Sequence, residues 1–487
     1  MSIIRELGEL YMSYKSDRPS FQERLDHFVN VIRTDIINGI RQEGTYLPAE
    51  SALAKQYQLS NKSIRKGLDQ LVEEGLIQKI DRVGSMVTPR PMASITLNFG
   101  CPISLTTDFL IDDLIAEFGR RNPGIHVRRI TLNHLSYVQS AQEMIDNGLL
   151  DVVAFNSPQF QEWTEEGLTP LLEKLESDPD LYPIAEEAFL VDGASYAKPI
   201  SFSPVVLCYN KRHFREAGIH EPDSYWTWSD LLRESTRLSK ARGRHGMYFL
   251  PASENRYPVF LLQGMSGRAS GTNARDPSGD MLKGLRALDG LIGNREVFPN
   301  YWAQGNDETV QLFAEGQVSV ILCTYFNLNE FAHLPLEYDI CPLPSLQRGD
   351  PQRTLLLSIG MSLVRHSKSK EAARRFLDFL ASTDAQNVIR ERTASIPARK
   401  SAAERTIGEG RNQPSRYAMF REMFPSFSYH RDMGLQIRDL KQFTKWLKEY
   451  WSGMIGEEML LAKLKELYGK GKLPGDPHTS ESEILTR

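Results

Sequence analysis

Hydrophobic positions along this chain change their spacing twice, and each change marks a different kind of structure. Phe21, Leu25, Phe28, Val29, Ile32 and Ile36 recur at helical spacing, and Gly39 ends the run. Leu53, Ala54 and Tyr57 mark a short second helix after Pro48. Ser60 is placed to cap a third helix by accepting a backbone N–H. In that helix Ile64, Leu68, Leu71 and Val72 point one way, while Lys62, Arg65, Lys66 and Asp69 point the other. Gly75 stands where a left-handed C-terminal cap is expected, with Leu76 folding back on Leu71. Ile77, Lys79, the turn Arg82-Val83-Gly84-Ser85 and the closing Met86-Val87 predict a two-stranded wing. Residues 19–89 therefore read as a winged helix-turn-helix. Before them, over 1–18, Ile3, Ile4, Leu7, Leu10, Tyr11 and Tyr14 form an amphipathic stripe, either packed on its own domain or a dimer contact.

Thr88-Pro89-Arg90-Pro91 continues neither strand nor helix, which sets a linker at 90–94. Beyond it strands and helices alternate. Ile95–Gly100 alternates as a strand, Phe109 to Phe118 has helical spacing stopped by Asn122-Pro123-Gly124, and Ile125–Leu132 is a second strand. Ser136 to Asn147 is a helix, and Asp151–Phe155 is a short apolar strand of the kind buried in parallel sheets. This order predicts an open α/β sheet with its ligand crevice at the C-terminal strand ends. Phe155, Asn156 and Ser157 fall at one edge of that crevice, and Gly100–Thr106 at another. Extended segments follow at 196–210, 316–322, 338–344 and 355–364, with helices at 211–218, from Trp226, and at 369–381.

A helix with an apolar inner face and a basic outer face fits the major groove, its N-terminal residues reaching base edges while lysines meet phosphates. Charge alone favours the plainer reading, a solvated charged helix on a small bundle. The net charge of −4 over 487 residues excludes a protein that coats nucleic acid along its whole surface. Apolar content of 41% and charged content of 25% are those of an ordinary globular chain of several domains. Cys101, Cys208, Cys323 and Cys341 form no C-x-x-C pair, and the ten histidines show no metal-ligand spacing. Met1–Arg18 lacks the apolar core of a secretory signal, and no apolar run reaches membrane-spanning length. Ser367-Lys-Ser-Lys370 fits S-x-x-K but opens an ordinary helix without the companion motifs. Gly264 to Gly271 lacks dinucleotide or P-loop spacing. No catalytic residue, metal site or cofactor is expected.

Residues 19–89 resemble the GntR-type family of bacterial regulators. The likeness is carried by Ile40 and Gly44 before Leu47-Pro48-Ala49-Glu50, by Ala54, by Ser60-x-x-Ser63-Ile64-Arg65, and by Leu71, Glu74-Gly75-Leu76-Ile77 and Gly84-Ser85-Met86-Val87. The resemblance implies DNA contacts from Ser60, Asn61, Lys62, Ser63, Arg65, Lys66, Arg82, Gly84 and Ser85. Arg65 matches the family's base-reading arginine and Ser63 a phosphate-contacting hydroxyl. Ser51 and Asn61 stand where many members carry arginines, which implies an atypical operator. Gly67 replaces a usual alanine, at an expected cost of about 1 kcal/mol in helix stability.

Residues from about 93 to 487 resemble the family-1 bacterial solute-binding proteins, which include the maltose-binding type. Phe118-Gly-Arg-Arg-Asn-Pro-Gly-Ile-His-Val127, Leu150–Phe155, Tyr196–Ile200, Leu207–Asn210, Thr227–Leu232, Phe313–Gln317, Ser369–Leu377 and Ile396–Arg399 stand in that family's order. The resemblance implies a two-lobed α/β domain of the type II periplasmic-binding-protein kind, with lobe one at about 95–200 and 355–400 and lobe two at about 204–352 and 404–487. Sugars stack on aromatic faces while amides and hydroxyls bind their polar groups. The implied ligand residues are Phe155, Asn156, Ser203, Trp302, Tyr325, Phe326, Phe427 and Tyr429.

Together these readings predict a cytoplasmic regulator that binds double-stranded operator DNA as a homodimer, responds to a small ligand, most simply a sugar or oligosaccharide, and has no membrane association. An extracytoplasmic transport receptor requires an export signal. A vitamin-B6-dependent enzyme requires a cofactor-binding lysine context, and none is evident.

Overall fold

The computed structural model describes residues 21–37, 40–81, 83–88, 95–133, 136–240, 243–266, 276–300, 305–406 and 412–470. The amphipathic stripe over 1–18, Gly39, Arg82, the linker 90–94 and Trp302 lie outside them. The chain divides into two compact units, Met1–Ser94 and Ile95–Arg487.

In the first unit α1 is Phe21–Ile37, α2 Glu50–Tyr57 and α3 Asn61–Glu73, followed by β1, Ile77–Ile80, and β2, Gly84–Val87. The predicted apolar faces meet in one core: Leu25, Phe28, Val29, Ile32 and Ile36 of α1 pack with Leu53, Ile64, Leu68, Leu71, Ile77 and Val87. Each α3 terminus is closed as its sequence demands. Ser60 Oγ accepts from Ser63 N at 3.1 Å. At the other end Gly75 has φ +70°, while Leu76 N reaches Leu71 O and Gly75 N reaches Val72 O, a Schellman cap. β1 and β2 pair antiparallel from Ile77↔Val87 to Ile80↔Gly84. The stretch 44–47 runs beside β2 through an isolated bridge at Tyr46↔Met86, with Leu47 N donating to Ser85 O and Val87 N to Thr45 O.

Gly67 has a packing reason that its helix propensity conceals. A Cβ there would lie 2.7 Å from Phe28 Cε1 and 2.9 Å from Val29 Cγ2. α1 crosses α3 at this point, so the missing methyl lets the helices approach.

The second unit is built on a nine-stranded sheet. Its strands are β3 (Ile95–Cys101), β4 (Ile125–Thr131), β5 (Val152–Asn156), β6 (Lys198–Asn210), β7 (Val320–Thr324), β8 (Tyr338–Cys341), β9 (Thr354–Leu363), β10 (Ile396–Pro397) and β11 (Phe427–Ser428). The main order is β8-β6-β9-β5-β3-β4, and β7 and β10 also pair with β6, and β11 with β9. β3 runs parallel to β4 and β5, as the strand–helix alternation predicts. β6 is the strand that joins two lobes. Its residues 198–204 pair with β9 and β10, whereas 205–210 pair with β7 and β8. β6 and β9 are buried almost throughout. The ladder slips between Ile359 and Gly360, and a Cβ at Gly360 would lie 2.8 Å from Phe189 Cε2.

Lobe one holds an apolar cluster around Phe99, Phe118 and Phe376 on one sheet face. A larger cluster runs from Phe155 and Trp163 on the other face into lobe two, through Tyr209, Phe313 and Phe443. Lobe two is completed by the helices Tyr257–Met265, Ser278–Ile292, Ile437–Trp451 and Glu457–Lys470, which lie beyond the sequence markers above. Here Gly264 finds its purpose; Gly267 and Gly271 lie outside the described residues. A Cβ at Gly264 would collide with Asp280 O, and one at Gly284 with Phe260 O. The two helices cross backbone to backbone. The four cysteines are buried and free, like small hydrophobes.

Candidate functional sites

In the first unit the candidate surface is the N-terminal end of α3 with the wing. Ser60, Asn61, Lys62, Arg65 and Lys66 are exposed on one side of α3, and Gly84 is exposed at the wing. Ser85 is half-buried, because its carbonyl holds Leu47. The Arg65 guanidinium is held by Glu50, at the start of α2, at 2.6 Å while its side chain stays 64% exposed. That exposed ion pair contributes little stability but fixes a direction for the arginine. Ser63 is different. It is buried, and its hydroxyl shares a hydrogen bond of 2.7 Å with Ser60 Oγ, so in this structure it belongs to the cap and presents no free hydroxyl at the surface. Lys79 of the wing pairs with Asp69 of α3, joining the two parts of the surface.

In the second unit the predicted aromatic residues separate into two groups. Phe155 has no exposed surface and packs among Tyr137, Phe160 and Trp163 at 5.1–6.1 Å. Asn156 caps the helix Ser157–Glu165 and exchanges hydrogen bonds with Gln159. Tyr325 is fully buried, with its hydroxyl donating to Tyr417 O at 3.0 Å, and Ser203 Oγ accepts its backbone N–H at 2.7 Å. Phe427 is buried against Phe424 at 5.6 Å, and Tyr429 is buried with its hydroxyl on Ile184 O. In this conformation these side chains are core. Strand-end aromatics and cleft aromatics have the same sequence appearance, and burial separates them. Phe326 is the exception: it is partly buried and packs against both apolar clusters, which puts it where the lobes meet.

Polar residues that the sequence reading passed over surround Phe326. Asn327 Oδ1 accepts from Thr324 N at 3.1 Å and Thr324 Oγ1 at 3.0 Å. Arg256, fully buried, donates through Nε to Leu322 O at 3.0 Å and reaches Asn327 Oδ1 at 3.4 Å. Its desolvation lowers the guanidinium to about 10. The turn that presents Phe326 is thus anchored from below. Asn329, in lobe two, spans to lobe one: its Nδ2 donates to Asp108 O at 3.3 Å and to Ser395 Oγ at 3.0 Å, and its Oδ1 accepts from Ala394 N at 2.7 Å. Asp108 keeps some exposed surface, yet loss of hydration pushes its carboxyl up to about 7, with Asp307 and Glu330 adding like-charge repulsion. The only signal in the sequence was Gly100–Thr106 as a crevice edge, which ends just short of Asp108. No cluster of metal-ligating side chains occurs among the described residues.

The family of bacterial extracellular solute-binding proteins matches residues 113–414, more than half of the chain. This chain belongs to that family. Its solute-binding domain is preceded by a second match, to the gntR family of bacterial regulatory proteins, over residues 26–87. The maltodextrin-binding protein MdxE of Bacillus subtilis is 26% identical over 235 residues, 46% of this chain and 54% of that protein. A galactooligosaccharide-binding protein from the same organism is 24% identical, covering 60% of this chain and 70% of its own. The chain spans about half the length of several curated relatives that it matches. Among solved structures, the substrate-binding protein Lmo0181 of Listeria monocytogenes, in complex with cycloalternan, has a TM-score of 0.63 at 21% identity and covers 77% of this chain and 98% of its own. Maltose-bound MalE3 of T. maritima has a TM-score of 0.66 at 17% identity, covering 77% and 99%. At these identities the structures show that the solute-binding domain has the two-lobed maltose-binding-like fold. No described helix is long and apolar enough to cross a membrane.

Proposed function

We propose that this chain is a cytoplasmic transcription regulator whose solute-binding domain has become its sensor. The observation that carries this reading is the union, in one chain, of a gntR-family domain with a solute-binding domain. The winged helix binds double-stranded operator DNA through Arg65, Lys62, Lys66 and the wing. Two copies bind together, because one short recognition helix covers a single half-site. A sugar or oligosaccharide, the ligand class for which the maltodextrin- and galactooligosaccharide-binding relatives are named, binds between the lobes beside Phe326. The ligand shifts operator affinity only by its differential affinity for the two protein states, so the coupling is reciprocal. No catalysis is part of this role.

A thermal-shift screen against sugars and oligosaccharides, followed by calorimetry of the hit with and without the upstream promoter fragment, tests the reading. The expected result is a sugar that raises the melting temperature and whose affinity changes when DNA is present. A sugar that binds with the same affinity in both conditions would remove the regulatory coupling. The transport relatives favour a second reading, an extracytoplasmic receptor. Fractionation of the producing cells separates the two: protein in the cytosolic fraction supports the regulator, and protein outside the cytoplasmic membrane supports the receptor.

A further inference from the structure

We propose that Tyr46, on the outward face of the wing, contacts DNA: its ring lies against deoxyribose at the lip of the minor groove, and its hydroxyl donates to a phosphate oxygen. This rests on the reading of the first unit as an operator-binding domain.

Backbone bonds fix where Tyr46 stands. It bridges to Met86 of β2, and the bonds from Leu47 N to Ser85 O at 2.8 Å and from Val87 N to Thr45 O at 2.9 Å hold that bridge on either side. Side chains alternate across such a ribbon. Leu47, Ile77 and Val87 turn inward and join the core of the unit. Tyr46, Gln78, Ile80 and Met86 belong to the other face, together with Gly84, which pairs with Ile80. Ile80 and Met86 are half-buried yet take no part in the core, and Tyr46 is 50% exposed. Its Cδ1 lies 4.0 Å from the place a Cβ would occupy on Gly84, so the ring borders the wing glycine. Gly84 has φ +139°, which residues with a Cβ rarely adopt, and Val83 beside it is 62% exposed.

The two faces of the ribbon differ in chemistry. Near the turn the inner face carries Lys79 and Ser85, and Lys79 pairs with Asp69 of α3. A minor groove about 6 Å wide admits the glycine end of a ribbon but not a ribbon dressed with side chains. With Gly84 leading, the inner face meets the wall nearer α3, and the outer face meets the opposite wall. Tyr46 is the aromatic residue on that outer face. Deoxyribose offers C–H surface to its ring, and tyrosine hydroxyls are among the groups that bond phosphate. The outer-face residues Tyr46, Gln78, Ile80, Gly84 and Met86 include no cation. The contact therefore adds affinity on any sequence without displacing counterions.

The test measures anisotropy of the full chain on the upstream promoter fragment and on an unrelated duplex of equal length, over a series of salt concentrations. Tyr46→Phe should weaken binding to both duplexes by about three- to tenfold, the scale of one net hydrogen bond, and Tyr46→Ala by more. The salt slope should stay that of the parent in both variants, whereas Lys66→Ala lowers it by about 1. Hydroxyl-radical cleavage should show one stretch of minor-groove sugars protected by the parent and open in Tyr46→Ala. Tyr46→Ala that binds both duplexes like the parent, with the same sugars protected, would overturn the proposal and leave the operator reading standing. A changed salt slope in Tyr46→Phe would also overturn it. Sedimentation without DNA supplies a further check: a parent dimer that Tyr46→Ala splits would give this face to a second copy of the chain instead. A parent that binds neither duplex at any salt concentration would remove the operator reading, and this contact with it.

Discussion

The helix α3 and the lobe junction around Phe326 are both candidate binding surfaces, but they are built in opposite ways. α3 is specified by its own residues: Ser60 caps it, Gly75 ends it, and its exposed side follows from its apolar period. The lobe junction is assembled from pieces far apart in the chain. Asp108, Arg256, Asn329 and Ser395 meet there only because β6 carries the chain from one lobe to the other. Residue type at a given position therefore predicts much about the first surface and little about the second.

The largest expected effect breaks the likeness between two phenylalanines that the sequence treats alike. Phe155→Ala removes a fully buried ring and should cost the solute-binding domain about 3–5 kcal/mol. Phe326→Ala removes a partly buried ring at the lobe boundary, so it should cost folding less and weaken sugar binding. Denaturant titration followed by tryptophan emission reads this domain alone, since Trp163, Trp226, Trp228, Trp302, Trp446 and Trp451 all lie within it. A Phe155→Ala protein with unchanged stability and lost sugar affinity would restore Phe155 to the site.

That contrast also explains what was legible in advance. The winged helix could be read nearly residue by residue, because caps, a turn and a helical period are local signals. The α/β order and the long crossings at 198–210 and 354–363 were legible for the same reason. The helix Tyr257–Met265 was not singled out, since an almost wholly apolar helix carries no clear period. Whether the aromatics belong to a site was not legible, for a different reason. A strand-end Phe155 or Tyr325 has the same sequence context whether it lines a cleft or fills a core, and only the helices stacked above it decide.

Two glycines sharpen the comparison at the level of packing. Gly284→Ala would place a methyl against the Phe260 carbonyl, and backbone cannot step aside cheaply. The expected loss is about 3 kcal/mol, confined to the transition seen by tryptophan emission. Gly67→Ala acts in the other unit and more mildly. It gains about 1 kcal/mol of helix propensity but presses on the Phe28 ring, for a net loss of about 1 kcal/mol. Pairing it with Phe28→Leu should recover part of that loss, read by hydrogen exchange at α3 amides. A Gly67→Ala protein more stable than the parent would show that α1 and α3 have room to spare.

The smallest effect on folding concerns Arg65, and its effect on DNA is the informative one. Its exposed pair with Glu50 contributes at most about 1 kcal/mol, so Arg65→Ala should melt close to the parent. If the guanidinium reads a base edge, the same change costs about 1–3 kcal/mol of binding and relaxes selectivity at one operator position. Lys66→Ala, one residue on, should instead weaken binding to all sequences and reduce the salt slope by about 1. Glu50→Gln sharpens the assignment further, because it releases Arg65 without removing it. Binding should then keep its sequence preference while its affinity changes by less than the loss in Arg65→Ala. Fluorescence anisotropy on the promoter fragment and on single-base variants checks all three. Equal selectivity in the parent and Arg65→Ala would move base reading to Lys62 or the wing, and α3 would keep only its phosphate contacts.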